Sequence, residues 1–202
     1  MKTKPTYIKG DYKKSEFFNN DSRLVVGCSG LGGVWRPIEE KTAVGILMHA
    51  LENGISVLDT SPSYNKSEEF VGKALKQWTG KKPFVSTKVG RLKADRAEDT
   101  IVDYSPETMR KSVQESIETL GVDQIDLLFL HEPHLVPVEK MDEIMDCLNS
   151  FKKEGLVKSL GIGGNPIDRF YPHMIKENFD AVSGFLKLDA CNLTGFQKDL
   201  PI

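Results

Sequence analysis

The chain alternates short apolar runs with amphipathic stretches. Apolar residues crowd Arg23 to Leu31, Ile55 to Asp59, Phe84 to Lys88, Ile125 to Leu130 and Val157 to Ile162, each bounded by turn-forming residues. A further run starts at Asp180 to Ser183. These runs predict strands. Between them, apolar residues recur at helical spacing. Val44, Leu47, Met48 and Leu51 predict a helix over 38–52, stopped by Asn53-Gly54. Phe70, Val71, Ala74, Leu75 and Trp78 predict another over 67–78. A third opens at Ser105-Pro106-Glu107, with Ser105 as N-cap and Pro106 at the first helical position, and ends at Gly121. A fourth covers 138–154, and a fifth covers 166–177. Residues 90–104 form a long polar loop.

Strand and helix alternate throughout, which marks parallel βαβ units. The strands are apolar on both faces, as helix-covered or barrel strands are. An open doubly wound sheet and a (β/α) barrel both fit. The first strand ends in Gly30-Leu31-Gly32-Gly33, which lacks the complete G-x-G-x-x-G fingerprint and is weak evidence for a dinucleotide-binding turn.

Composition narrows the setting. The 202 residues are enough for about one domain. Residues 1–21 are a polar, lysine-rich extension, and 22–202 carry the domain. Net charge is −2, which supplies no electrostatic reason for a nucleic-acid or membrane partner. No apolar run reaches the roughly 18–20 residues of a membrane span. Three separated cysteines, Cys28, Cys147 and Cys191, suit reduced thiols in a cytoplasmic setting.

Candidate chemistry sits at strand ends. Asp59 ends the second strand, Lys88 the third and His131 the fourth. Alone, each has a plain structural role: a turn acceptor, a solvated lysine, a hydrogen-bonded core histidine. On three successive strand ends of a parallel barrel they converge at one mouth. Tyr64, five residues past Asp59, can fold over that mouth. A tyrosine titrates near 10 and is a poor acid or base at neutral pH. A lysine ammonium ~4 Å away favours the phenolate by about 4 kcal/mol, roughly three pKa units before opposing effects. Asp59 would hold Lys88 in place and cancel part of this. His131 would hydrogen-bond a substrate oxygen. The four handle protons beside a carbonyl and include no electron carrier. His131-Glu132-Pro133-His134 superficially suggests metal ligands, but its spacing is H-E-x-H and it contains a proline.

These motifs resemble the aldo-keto reductase family. Leu58 to Glu68, followed by Val71-Gly72, is similar to the signature that carries the family's catalytic Asp and Tyr, with Asn65 in place of the usual glycine. Ser86-Thr87-Lys88 resembles the strand of its lysine, and 112–131 the segment ending in its histidine. Gly32-Gly33-Val34-Trp35 resembles a first loop near the nicotinamide. Within the family, residues 84–91 and 161–168 are most similar to aldose 1-dehydrogenases of the L-galactose and L-fucose dehydrogenase type.

The resemblance implies an NAD- or NADP-dependent oxidoreductase on a (β/α)8 TIM-barrel fold. It would oxidise an aldose at C1 to a lactone or reduce a carbonyl. Asp59, Tyr64, Lys88 and His131 would be catalytic, and Gly33, Val34, Trp35 and Asp59 would bind cofactor. Trp35 reads equally well as core packing. About five to six βα units are present against eight, with the family's C-terminal phosphate clamp absent. The alternative is a truncated, inactive barrel fragment that needs a partner or self-associates through open edges.

Overall fold

The structure is a computed structural model that describes residues 24–93, 96, 99, 101–164 and 179–184. Six parallel strands form one sheet in sequential order: β1 (Val26–Gly27), β2 (Val57–Asp59), β3 (Phe84–Val89), β4 (Ile125–His131), β5 (Val157–Gly163) and β6 (Ala181–Ser183). Four helices connect the first five: α1 (Glu40–Glu52), α2 (Ser67–Gln77), α3 (Pro106–Leu120) and α4 (Met141–Lys153). Among the described residues the sheet curls into part of a (β/α)8 barrel. The sequential order excludes the doubly wound alternative, whose strand order reverses at a switch point. The N-terminal extension, the helix expected over 166–177 and Cys191 lie outside the described residues.

The helices follow their apolar spacing. Ala43, Val44, Leu47 and Leu51 bury one face of α1, whereas Met48 is only half-buried. α1 starts at Glu40, two residues later than the apolar pattern predicts, because Glu39 is still extended. Trp78 lies just past α2, where its indole N–H donates to the Lys81 carbonyl at 2.9 Å. The helix predicted over 138–154 is divided. Val138–Lys140 make a 3-10 turn, and the α-helix begins at Met141.

The cap of α3 differs from expectation. Ser105 makes no side-chain cap. Asp103 does the work instead, accepting from the Ser105 N–H and the Thr108 hydroxyl, both at 2.8 Å. These bonds hold its carboxyl below the usual carboxylate range. The strand β1 is also shorter than its apolar run, since Cys28 already turns into the loop and its carbonyl accepts from Leu31 and Gly32.

Two apolar clusters pack the helices on the outside of the sheet. One gathers Leu47, Leu58, Phe70, Val71 and Val85 beneath α1 and α2. The other gathers Leu128, Leu130, Ile144, Phe151, Leu160 and Ile162 beneath α3 and α4. A polar contact lies on α2: buried Glu68 accepts a 2.6 Å bond from the hydroxyl of Thr87 on β3. Asp126, also buried, ties three strands: its carboxylate accepts from the Val85 N–H at 3.0 Å and pairs with Lys158 at 2.5 Å. Among the described residues, no helix is long and apolar enough to cross a membrane.

Candidate active site

Alternation along β2, β3 and β4 sends one set of side chains outward under the helices and the other to the concave face. Leu58, Val85, Leu128 and Leu130 belong to the packed set. Asp59, Ser86, Leu127 and Phe129 line the concave face. Register then places the ionisable residues beside one another. Asp59 pairs with Ser86, Lys88 with Phe129, and His131 with Gly163.

Lys88 is 5% exposed, yet its ammonium is well partnered. It donates to Asp59 Oδ2 at 2.6 Å and to the Thr60 carbonyl at 2.9 Å. Ser86 donates to the other Asp59 oxygen at 2.7 Å. A buried ion pair of this kind is costly to break, about 3–5 kcal/mol when one partner is removed. The ammonium also lies 4.9 Å from the centre of the Tyr64 ring and 5.7 Å from that of Phe129.

Tyr64 arrives by a short 3-10 turn, Pro62–Tyr64. Its ring meets that of His131 edge to face, with centroids 5.9 Å apart. The residues Asp59, Tyr64, Lys88 and His131 are therefore gathered in one place. The electrostatics differ from expectation in one respect. Lys88 does favour the Tyr64 phenolate, but burial outweighs it and Asp59 opposes it, so the phenol is pushed above its ordinary pKa. The proton stays on Tyr64 at neutral pH. His131 is pushed down to about 2 by burial first, then by Lys88 and Arg91. Its imidazole is neutral.

The glycine-rich first loop serves the tyrosine. A Cβ on Gly32 would sit 1.7 Å from the Tyr64 carbonyl oxygen, so only glycine lets the two loops pack. The Lys66 N–H also donates to the Gly32 carbonyl at 3.3 Å. In this loop Val34 is buried, while Trp35 is 72% exposed, with its ring against Gly30. Trp35 is thus a surface aromatic and not core.

Two residues that the sequence reading did not single out hold His131. Ser61, fully buried, places its hydroxyl 3.3 Å from His131 Nδ1. The single Tyr104 O–H is shared between the His131 carbonyl at 2.8 Å and the Glu132 carbonyl at 3.1 Å. Gly90, at φ +101°, makes room for Tyr104, since a Cβ there would lie 2.2 Å from its ring. The loop expected over 90–104 folds back on itself: Arg91 and Val102 form an antiparallel bridge, and the Leu92 N–H donates to the Ile101 carbonyl. Arg91 reaches Glu132 at 3.3 Å. The other suspected metal ligand, His134, faces the second oxygen of Glu132 at 3.4 Å. Among the described residues, no three His, Cys, Asp or Glu side chains are grouped to hold a metal ion.

Known proteins resemble this chain in sequence or in fold. L-galactose dehydrogenase of Arabidopsis thaliana is 37% identical over 154 residues, covering 74% of this chain and 46% of that protein. D-arabinose 1-dehydrogenase of Saccharomyces cerevisiae is 36% identical over 127 residues, covering 61% of this chain and 36% of that one. The solved structure of a glycerol dehydrogenase from Gluconobacter oxydans superposes with a TM-score of 0.74 at 27% identity, over 89% of this chain and 55% of that chain. The chain spans about half the length of the relatives it matches. Residues 23–183 match the aldo/keto reductase family over most of the chain, and the chain belongs to that family.

Proposed function

We propose that the protein acts in an NAD(P)-dependent oxidoreductase that oxidises an aldose at C1 or, in reverse, reduces a carbonyl. The observation that carries the proposal is the Tyr64 phenol, set against the Lys88–Asp59 ion pair and edge-on to a neutral His131. The similarity to sugar dehydrogenases supports an aldose as substrate. Reduced thiols at Cys28 and Cys147 suit a cytoplasmic setting.

The chain offers a fitting surface for a nicotinamide cofactor. Trp35 leaves a flat aromatic face in solvent in the loop that follows β1, beside buried Val34 and the tight turn at Gly33. Gly33, Val34, Trp35 and Asp59 would hold it, and bound NAD(P) would supply or accept the hydride. The remaining steps belong to the chain. In reduction, Tyr64 gives its phenolic proton to the substrate oxygen as that oxygen gains charge. Burial, which keeps the phenol protonated, suits this role. In oxidation, Tyr64 would first lose its proton to solvent, which higher pH favours, and then take the proton of the anomeric hydroxyl as C1 gives up its hydride to the cofactor, leaving a lactone. The Lys88 ammonium steadies the phenolate in both directions, and Asp59 and the Thr60 carbonyl hold that ammonium in position. His131 orients the substrate oxygen.

Reduction of NAD(P)+ with a panel of aldoses, followed by absorbance, tests the reaction. Tyr64→Phe is expected to abolish turnover in a form that is otherwise active. Retention of most of the rate would overturn the role of Tyr64. A fluorescence titration with NADPH is expected to show binding. No binding would favour the structural alternative of a barrel fragment that acts through a partner or through itself.

A further inference from the structure

Tyr64 is carried by a loop whose two ends meet. Thr60 follows β2 and Ser67 opens α2, and both are fully buried. Their hydroxyls lie 2.7 Å apart, although the residues are 7 positions apart in sequence. The Ser67 hydroxyl also lies 3.0 Å from the Cys28 carbonyl, alongside the Leu31 and Gly32 N–H groups. A carbonyl only accepts, so that bond uses the single Ser67 proton. The Thr60 hydroxyl then donates to Ser67. The reverse direction leaves the Thr60 proton without an acceptor among the described residues.

Each polar group of Thr60 thus has its own neighbour. The N–H donates to the Ser86 carbonyl at 2.9 Å, the hydroxyl donates to Ser67, and the carbonyl accepts the Lys88 ammonium at 2.9 Å. The next residue of α2, Glu68, accepts from Thr87, which precedes Lys88 on β3. The first turn of α2 is therefore tied to Lys88 twice, through Thr60 and through Thr87. The loop between Thr60 and Ser67 needs such ties. Asn65 sits in it at φ 54° and ψ −106°, and backbone of this kind persists only where its surroundings over-determine it. Closing the loop puts the Tyr64 ring and the Lys88 ammonium, 4.9 Å apart, on one frame.

We propose that Thr60 and Ser67 are positioning residues whose hydroxyl bond clasps shut the loop of Tyr64 and keeps the phenol beside the Lys88 ammonium. The benefit to catalysis rests on the reading of Tyr64 as the proton-transfer residue, whereas the clasp itself does not. Loss of one hydrogen bond of ordinary strength opens such a loop about fivefold more often. A methyl in place of the Thr60 hydroxyl also cannot approach Ser67 Oγ to 2.7 Å, so the loop ends part even at rest.

The experiment is NMR of the chain, with two readouts. Amide hydrogen exchange is followed at the Tyr64 N–H, bonded to the Ser61 carbonyl, and at the Lys66 N–H, bonded to the Gly32 carbonyl. The Tyr64 ring resonances, those missing from Tyr64→Phe, report its place against the edge-on His131 ring. Thr60→Val is expected to speed both amides about fivefold and to move the ring resonances. Ser67→Ala removes the acceptor without added bulk and is expected to speed the same amides. Thr60→Ser keeps the donor and is expected to match wild type in both readouts. Loop amides that keep their rates in folded Thr60→Val and Ser67→Ala would overturn the proposal, even if slow amides of β4 were speeded, because the bond would then stabilise the fold without closing the loop. Unmoved Tyr64 resonances in Thr60→Val, or a Thr60→Ser that behaves like Thr60→Val, would overturn it as well. A chain that shows the clasp but oxidises no aldose counts against the proposed function and leaves the clasp standing.

Discussion

The phenol of Tyr104 and the carbonyl of His131 are joined by a 2.8 Å hydrogen bond. The same phenol bonds to the Glu132 carbonyl, where the backbone adopts φ +52°. One side chain thus secures the end of β4 and the left-handed residue that follows. Tyr104→Phe keeps the packed ring and removes both bonds. The expected loss is about 1–2 kcal/mol, read from the urea midpoint of unfolding. An unchanged midpoint would show that the two bonds contribute nothing net.

His131 makes stability sensitive to acid. In the unfolded chain it binds a proton near pH 6.5, whereas in the folded chain burial, Lys88 and Arg91 push it down to about 2. The unfolded state therefore binds more protons between these values, and the contribution present above 6.5 is lost as pH falls. Between pH 7 and pH 5 the loss from this one group is about 2 kcal/mol. His131→Gln is expected to remove that part of the slope. Parallel pH–stability curves for the two proteins would contradict it.

Glu68 works in the opposite sense. Burial raises its pKa, and the Thr87 and Ser116 hydroxyls offset this only in part. A raised carboxyl contributes stability below about pH 4.5, its unfolded value, and loses it as pH rises through the folded one. Glu68→Gln keeps an acceptor for Thr87 and removes the buried charge. It is expected to be more stable than wild type at pH 7, with the gain fading at pH 4. Denaturant curves at the two pH values check the sign.

Asn65 stands where the family usually has glycine, and its backbone shows why. It lies at φ 54° and ψ −106°, a conformation that side chains with a Cβ avoid. Asn65→Gly is expected to raise the thermal midpoint by relieving strain worth about 1 kcal/mol. Asn65→Ala is expected to lower it. The order Gly, Asn, Ala is the measurable result.

The residues legible in the sequence share one property: each interrupts a pattern. Asp59, Lys88 and His131 end apolar runs, so the alternation that buries Leu58, Leu128 and Leu130 under helices also marks the ionisable residues at the strand ends. Ser61 and Tyr104 interrupt nothing. A serine in Thr60-Ser61-Pro62-Ser63 and a tyrosine ending a polar loop look like any loop residue. Their roles come from partners 70 and 27 residues away. The Ser105 cap that spacing predicts does not form, for a related reason. Asp103 competes for the same helix end from two residues upstream, and local spacing does not rank the two. The phenol of Tyr64 depends on depth as well as on charge, and depth follows from packing.

The short outer strands give the sheet a gradient of persistence. β1 has two residues and β6 three, while β4 has seven, all buried and paired on both sides. Among the described residues, pairs this short open first in local fluctuations, and long strands paired on both sides open last. Asp59, Lys88 and His131 come from adjacent strands β2, β3 and β4, so their spacing is set by nearest-neighbour registers alone. Amide hydrogens around Lys88 and His131 should exchange far more slowly than those of Val26 or Val182. Lys88 and His131 are thereby anchored to the part of the described sheet that breathes least, while Asp59, on the shorter β2, is held to them by its bonds to Lys88 and Ser86.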